Sequence, residues 1–331
     1  MITELDAKMV GISKETLDKM AAAGVTSLQA LSGQKAKTLS ELSGVGEDTL
    51  EKAINKAIKL TSMGFITGEQ LRQIRSERTH LHTGSYALDA IISETEKDGV
   101  KIHGIESQTT TEIIGAGAAG KTQICHCVAV LAQQPVEEKG LGGGVAWIDT
   151  EDTFRPDRIK EIAESRGFNP TAMLDGIHWA LAANSDHQKL LINQLYELIP
   201  LHNIKLVIVD SMMGNLRSEY IGRGTLSTRQ GELADMLKTL LNVAINMKVT
   251  VIYTNQVVSD PSIMFGNADK PAGGNIVGHA SGTRLQLRKG REGVRVAKLI
   301  DSLSMPEAEA VFIISARGIE DVPAPKKKEG S

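Results

Sequence analysis

Residues 115–122 read Gly-Ala-Gly-Ala-Ala-Gly-Lys-Thr, a complete G-x-x-x-x-G-K-T phosphate-binding loop. The preceding Thr111-Glu112-Ile113-Ile114 predicts a strand, and the following Gln123-Ile124-Cys125-His126-Cys127-Val128 predicts a helix. That strand–loop–helix setting is the context the motif requires. In it Gly115, Gly117, Ala118, Ala119 and Gly120 offer backbone N–H groups to phosphate at the positive end of a helix. Lys121 reaches the terminal phosphates, Thr122 ligates Mg²⁺, and Gln123 continues the helix beside the nucleotide. The stretch implies a domain that binds a nucleoside triphosphate together with Mg²⁺.

Outward from the loop, apolar strands alternate with helical patterns. Val145–Asp149, Leu206–Asp210 and Thr250–Thr254 read as strands, with helical spacing near 156–166, 187–199 and 228–246. This alternation predicts a mostly parallel sheet with helices on both faces. Segments near 284–288, 294–300 and 310–315 are expected as antiparallel strands at one edge. The expected organisation is a core over 81–321, a linker over 61–80 ending in a charged helix, and a solvated tail over 322–331.

Residues 1–60 are rich in Ala, Leu and Lys, with helical spacing throughout. Gly44-Val45-Gly46 joins two helical runs in the manner of a helix-hairpin-helix, whose turn presents backbone N–H groups to phosphate. Acidic and basic residues balance here, so a protein-binding or purely structural helical unit stays open. A helix C-cap alone also explains Gly44.

With 331 residues, 41% hydrophobic and 23% charged, the chain has the length and composition of a two-domain globular protein. A net charge of −3 gives no global attraction to nucleic acid, so any DNA contact must come from local loops. Two cysteines make no disulfide framework and suit a reducing interior. Cys125 and Cys127, two apart on a helix, point to different faces and are expected to pack rather than bind metal. No long apolar stretch suggests a membrane span, and no basic-then-apolar start suggests a signal peptide.

Three further positions carry chemistry. Asp210 ends the run Leu206-Val207-Ile208-Val209, where a carboxylate holds Mg²⁺ opposite a phosphate loop. Glu151, just past the strand ending at Asp149, is placed to activate a water for attack on the γ-phosphate; a surface glutamate is the alternative. Gln256, beyond the third strand, is placed to sense that phosphate. Two long connections lack periodicity. Residues 214–229 hold Arg217, Tyr220, Arg223 and Arg229, and residues 257–282 hold Gly273 and Gly274. Arginines and glycine N–H groups suit a sugar-phosphate backbone without base preference, and solvated loops are the alternative.

Ordered motifs then extend over nearly the whole chain. They are Gly120-Lys121-Thr122-Gln123, Ile148-Asp149-Thr150-Glu151 and Arg217-Ser218-Glu219-Tyr220-Ile221-Gly222-Arg223-Gly224. Thr254-Asn255-Gln256-Val257, Gly273-Gly274-Asn275-Ile276-Val277-Gly278-His279 and Arg295-Val296-Ala297-Lys298-Leu299 follow. In this set the sequence resembles the archaeal RadA recombinases, relatives of bacterial RecA. The resemblance implies a RecA-like core and a DNA-dependent ATPase that forms a helical filament or ring. Such an assembly acts on single-stranded and double-stranded DNA, with recombination mediators as further partners, in the cytoplasm at the nucleoid. It implies that Arg158 stacks on adenine, that Glu151 is the hydrolytic base, and that Asp301 and Pro306 cap the neighbouring subunit's ATP. Segments around Arg217 and around Gly273-Gly274-Asn275 become the two DNA-binding loops. Phe65, followed by Gly68, becomes the anchor of self-assembly, inserted into a pocket of the adjacent core. A paralogue that assists another recombinase, and a nucleotide-switched scaffold without DNA, are the rival readings.

The chain departs from that family at several points. The phosphate loop is Ala-rich at Ala116, Ala118 and Ala119, Asp152 stands where glycine is usual, and Gly68 where alanine is more frequent. Residues 93–103 replace what is usually a short glycine turn.

Overall fold

The computed structural model describes residues 7–61, 66–220, 222–259, 269–271 and 281–323. Five helices come first: α1 (Ala7–Val10), α2 (Lys14–Ala22), α3 (Leu28–Ser32), α4 (Ala36–Ser43) and α5 (Glu47–Thr61). Gly44, at φ +68°, closes α4 as a left-handed C-cap, a conformation glycine adopts without steric cost. Glu47 and Asp48 open α5, so carboxylates already complement the positive end of that helix. Apolar residues of these helices, Met20, Leu31, Leu39 and Leu50 among them, join one buried cluster with Tyr196, Leu237 and Leu240 of the core.

Helix α6 (Gly68–Ser76) follows. Thr67 and Gln70 cap it reciprocally, Thr67 Oγ1 accepting from Gln70 N at 3.2 Å and Gln70 Oε1 from Thr67 N at 2.8 Å. It buries no residue. Next come β1 (His80–Leu81), α7 (Tyr86–Ile92), β2 (Glu94–Lys97), β3 (Val100–His103) and β4 (Ile105–Glu106). The segment 93–103 holds an antiparallel hairpin, turned through Asp98-Gly99, a pair suited to a two-residue hairpin turn.

The core begins with β5 (Thr110–Gly115), α8 (Lys121–Leu131), β6 (Gly144–Asp149), α9 (Pro156–Arg166), α10 (Pro170–Asp175) and β7 (Ile177–Leu181). It continues with α11 (Ser185–Leu201), β8 (Ile204–Asp210), α12 (Gly214–Glu219), α13 (Leu226–Met247), β9 (Thr250–Ser259) and β10 (Asp269–Pro271). Strands β11 (Thr283–Lys289), β12 (Arg295–Ser302), β13 (Ala308–Ser315) and β14 (Gly318–Asp321) end it. They form a ten-stranded sheet in the order β14-β13-β12-β11-β5-β9-β8-β6-β7, with β10 on β9. Strands β11, β5, β9, β8, β6 and β7 are mutually parallel, and β12, β13 and β14 extend the β11 side antiparallel.

Strands covered on both faces lose the polar alternation of half-exposed ones. Val145, Trp147, Leu206 and Ile208 face α8 and α9, whereas Ala146, Ile148, Val207 and Val209 face α11 and α13. The mostly parallel α/β sheet with helices on both faces expected from the alternation is present, and among the described residues no helix is long and apolar enough to cross a membrane.

One buried charge joins three central strands. Glu112 of β5 is fully buried and accepts from Arg284 Nε of β11 at 2.7 Å and from Asn255 Nδ2 of β9 at 2.8 Å. Burial pushes its carboxyl above the usual range, against the pull of Arg284. Glu112→Ala leaves the arginine buried and uncompensated, which costs about 3–5 kcal/mol. The expected outcome in urea unfolding is a loss of that size, most of it recovered when Arg284→Met is added.

Candidate nucleotide site and assembly groove

The carboxyl ends of β5, β9, β8 and β6 lie side by side. Gly115 is in register with Gln256, and Asp149 with Asp210. Ligands of open parallel sheets sit beyond this edge. Past Gly115 the chain turns through Ala118 at φ +58° and Gly120 at φ +112° into α8. A Cβ on Gly120 would meet Ile314 Cδ1 at 3.2 Å. Ala118 holds a left-handed conformation despite its side chain, at a cost of about 1–2 kcal/mol. Lys121 Nζ donates to the carbonyls of Gly115 at 2.8 Å and Ala116 at 3.1 Å, arching over the loop. Burial draws its ammonium below the usual range, opposed by the Asp210 and Glu151 carboxylates.

Asp210 is buried where three elements meet. Thr122 Oγ1 donates to its Oδ2 at 2.7 Å, Thr153 Oγ1 to the same oxygen at 3.1 Å, and the Thr254 hydroxyl to Oδ1. Burial raises its pKa while the three hydroxyls oppose the rise. A carboxylate and a hydroxyl are the hard oxygens Mg²⁺ prefers, with phosphates and water completing its shell. Beside them a cleft of ≈ 570 Å³ is lined by Gly120, Lys121, Thr122, Gln123, Arg295 and Ile314, within the size range of small-molecule sites. Donor set and cleft both fit a magnesium nucleotide.

Glu151 is presented by a turn that Asp149 organises. The fully buried Asp149 carboxylate accepts the backbone N–H groups of Glu151 at 3.1 Å, Thr153 at 2.9 Å and Phe154 at 2.9 Å. Glu151 Oε1 accepts from Ser211 Oγ at 2.6 Å, and Gln256 Nε2 reaches Oε1 at 3.1 Å and Oε2 at 3.2 Å. Asp152 sits at φ +52°, in the left-handed region where a glycine is unstrained.

Sequence reasoning missed Asp149 as an organiser, reading it only as a strand end. His126 was read only as part of the helix after the loop. Burial lowers its pKa to about 4, so the ring is neutral. Nδ1–H donates to Thr122 O at 2.8 Å, and Nε2 accepts from Arg155 N at 3.0 Å. Arg295 was quoted only within a motif. Among the described residues its Nε is buried without a partner, and its chain lies 3.9 Å from the point a Cβ on Gly120 would occupy.

Arg158 lies alongside the cleft, with Nε on Gln123 Oε1 at 2.9 Å and Nη2 on Ser315 O at 2.6 Å. Asp301 and Pro306 are exposed, at the end of β12 and in the turn after it, and do not line this cleft.

The aperiodic connection expected over 214–229 is largely helical. It comprises α12, a 3₁₀ turn at Arg223–Thr225 and the start of α13. Packing overrides local pattern here: Leu216 is fully buried and Tyr220 packs against the core. Arg217, in the last turn of α12, donates through Nη1 to Gln256 Oε1 at 2.7 Å. Arg229 is half-buried at the start of α13. Glu219 accepts from the Ser185 backbone N at 2.7 Å and from its hydroxyl, and so caps α11. Gly273, Gly274, Asn275 and Phe65 lie outside the described residues. Gly68 is the first residue of α6.

At the far edge of the sheet, β7 pairs among the described residues only with β6. Between β7 and α11 runs an apolar groove of ≈ 590 Å³, lined by Ala146, Ile148, Ala180, Leu191, Leu195 and Leu198. Trp179 stands at 43% exposure beside it.

Residues 74–322 match the Rad51 family. Over 317 residues the chain is 42% identical to the DNA repair and recombination protein RadA of Cenarchaeum symbiosum (strain A), covering 94% of this chain and 77% of that one. It is 41% identical over 315 residues to the meiotic recombination protein DLH1 of Candida albicans, covering 94% of each. On that span and identity, carried by a RecA-like core whose strand ends hold the phosphate loop, the chain belongs to the Rad51 family, the group of the RadA-type recombinases.

Proposed function

We propose that the protein is a DNA repair and recombination ATPase that assembles on single-stranded DNA, pairs it with a homologous duplex and exchanges strands. The observation that carries this reading is the meeting of Lys121, Thr122, Asp210, Glu151 and Gln256 at one sheet edge, with Arg217 bonded to Gln256.

Magnesium, when bound, neutralises charge on the β- and γ-phosphates. Thr122 and Asp210 would hold it, and Lys121 would turn from its carbonyls to the phosphates, where the acceptor is charged as well as the donor. Glu151 accepts a proton from the attacking water while Gln256 orients that water. The Arg158 guanidinium packs on adenine, and Asp301 and Pro306 of the next protomer close the cleft over it. In this arrangement residues 1–60 form a helical domain, 61–80 an assembly linker and 81–321 the ATPase core.

Assembly joins the linker of one protomer to the β7 groove of the next. Phe65 is the apolar anchor, and the β7 edge offers unpaired backbone groups to the chain beside it. Such a head-to-tail contact propagates as a helical filament or closes as a ring. Arg217, Tyr220, Arg223 and Arg229 and the backbone of Gly273, Gly274 and Asn275 take DNA phosphates, which gives binding without sequence preference. The site of action is then the cell's DNA.

Electron microscopy with single-stranded DNA tests the assignment. Regular filaments are expected with Mg²⁺ and a non-hydrolysable ATP analogue, and their absence with DNA and analogue present argues for the nucleotide-switched scaffold. Two substitutions sharpen it. Glu151→Gln is expected to leave ATP bound and slow hydrolysis on the order of 10²-fold, the scale of losing a general base. Steady-state phosphate release checks this, and a change within about twofold moves the role to Gln256. Phe65→Glu places a carboxylate in an apolar groove, at a cost of several kcal/mol. Light scattering is expected to show monomers or short oligomers, and Leu198→Glu on the groove side is expected to do the same.

A further inference from the structure

Arg217, expected from the sequence to lie in an irregular DNA-contacting loop, is bonded into the hydrolytic site. It sits on the last turn of α12 with its side chain exposed. Its Nη1 donates to Gln256 Oε1 at 2.7 Å. Gln256 turns its Nε2 to both oxygens of Glu151, at 3.1 and 3.2 Å. Ser211 Oγ closes the set on Glu151 Oε1 at 2.6 Å. An amide has one acceptor end and one donor end. A guanidinium on one side and a carboxylate on the other fix its orientation. With Gln256 so held, its N–H groups point at Glu151 rather than at a water, and both Glu151 oxygens are engaged as acceptors.

Resting on the recombinase reading above, we propose that Arg217 is a positioning residue shared between the hydrolytic site and DNA. In the DNA-free protein it holds Gln256 against Glu151; a DNA phosphate draws it away and frees both side chains for the attacking water. The exchange is favoured by chemistry. The Gln256 carbonyl is a neutral acceptor that takes one guanidinium N–H, whereas a phosphate is anionic and can take the guanidinium through two parallel N–H···O bonds. It needs no opening of the core, because Arg217 is exposed. The bond bridges α12 and the end of β9, so binding at one is felt at the other through a single contact.

The test is ATP turnover of the full-length protein with and without oligo(dT), for wild type, Arg217→Ala and Arg217→Lys. Nucleotide affinity and melting temperature are measured alongside. In Arg217→Ala the DNA-free rate is expected to rise about fivefold or more, the low end of site-to-site coupling, and the stimulation by DNA to shrink by the same factor. Arg217→Lys keeps the charge without the planar fork and is expected to fall between. Nucleotide affinity and melting temperature are expected to stay at wild-type values. A residue that only contacts DNA weakens DNA binding and leaves DNA-free turnover within about twofold of wild type; that result overturns the proposal. A fall in melting temperature with equal losses in both rates marks a structural role and overturns it too. Wild-type turnover that DNA does not stimulate overturns the recombinase reading itself, a failure distinct from the other two.

Discussion

A single buried carboxylate holds the site together. Asp210, 3% exposed, accepts hydroxyls from Thr122 at the start of α8, Thr153 in the turn after β6 and Thr254 of β9. Those elements carry the phosphate loop, the Glu151 turn and Gln256. A buried ionised carboxylate without donors costs several kcal/mol. The three hydroxyls make its burial tolerable and tie the elements into one unit. The neutral His126, bonding Thr122 on one side and Arg155 on the other, repeats the tie from beneath the loop. Functional groups placed on rigid strand ends hold their geometry better than groups on free loops.

From that edge the molecule is organised along the sheet. Nucleotide groups cluster at β5, β9, β8 and β6. The apolar groove lies one strand further, between β7 and α11. Strand β6 therefore carries the Asp149 turn at its carboxyl end and lines the groove through Ala146 and Ile148. In an assembly that fills the groove, the partner rests against the strand that presents Glu151. In that proposed assembly, self-assembly and hydrolysis share one structural element.

Much of this was legible in the sequence, for physical reasons. A short apolar run such as Leu206–Val209, rich in β-branched residues, fits a strand buried on both faces better than a helix. A glycine-rich turn between strand and helix ahead of Lys121-Thr122 admits few other geometries. Asp210 and Glu151 could be set at a strand end because the apolar run fixes where the strand stops, whereas β9 runs on through Gln256 to Ser259, past the end expected at Thr254. What stayed hidden depends on contacts distant in sequence. Helix α12 forms because Leu216 finds a buried pocket, which no local periodicity announces. The Arg217–Gln256 bond spans 39 residues and joins two segments read separately. Asp149 looked like a strand terminus, since nothing local tells which backbone N–H groups will turn towards it. The 94–103 hairpin was not anticipated, because its Asp98-Gly99 signal was overlooked beside the charge around it.

The most direct measurement of the central claim is strand exchange between a labelled single strand and a duplex, with the protein, ATP and Mg²⁺. Displaced strand is expected from a homologous duplex, none from a heterologous one, and none without nucleotide. Filaments that form and hydrolyse ATP yet release no more strand from the homologous duplex than from the heterologous one would contradict the account.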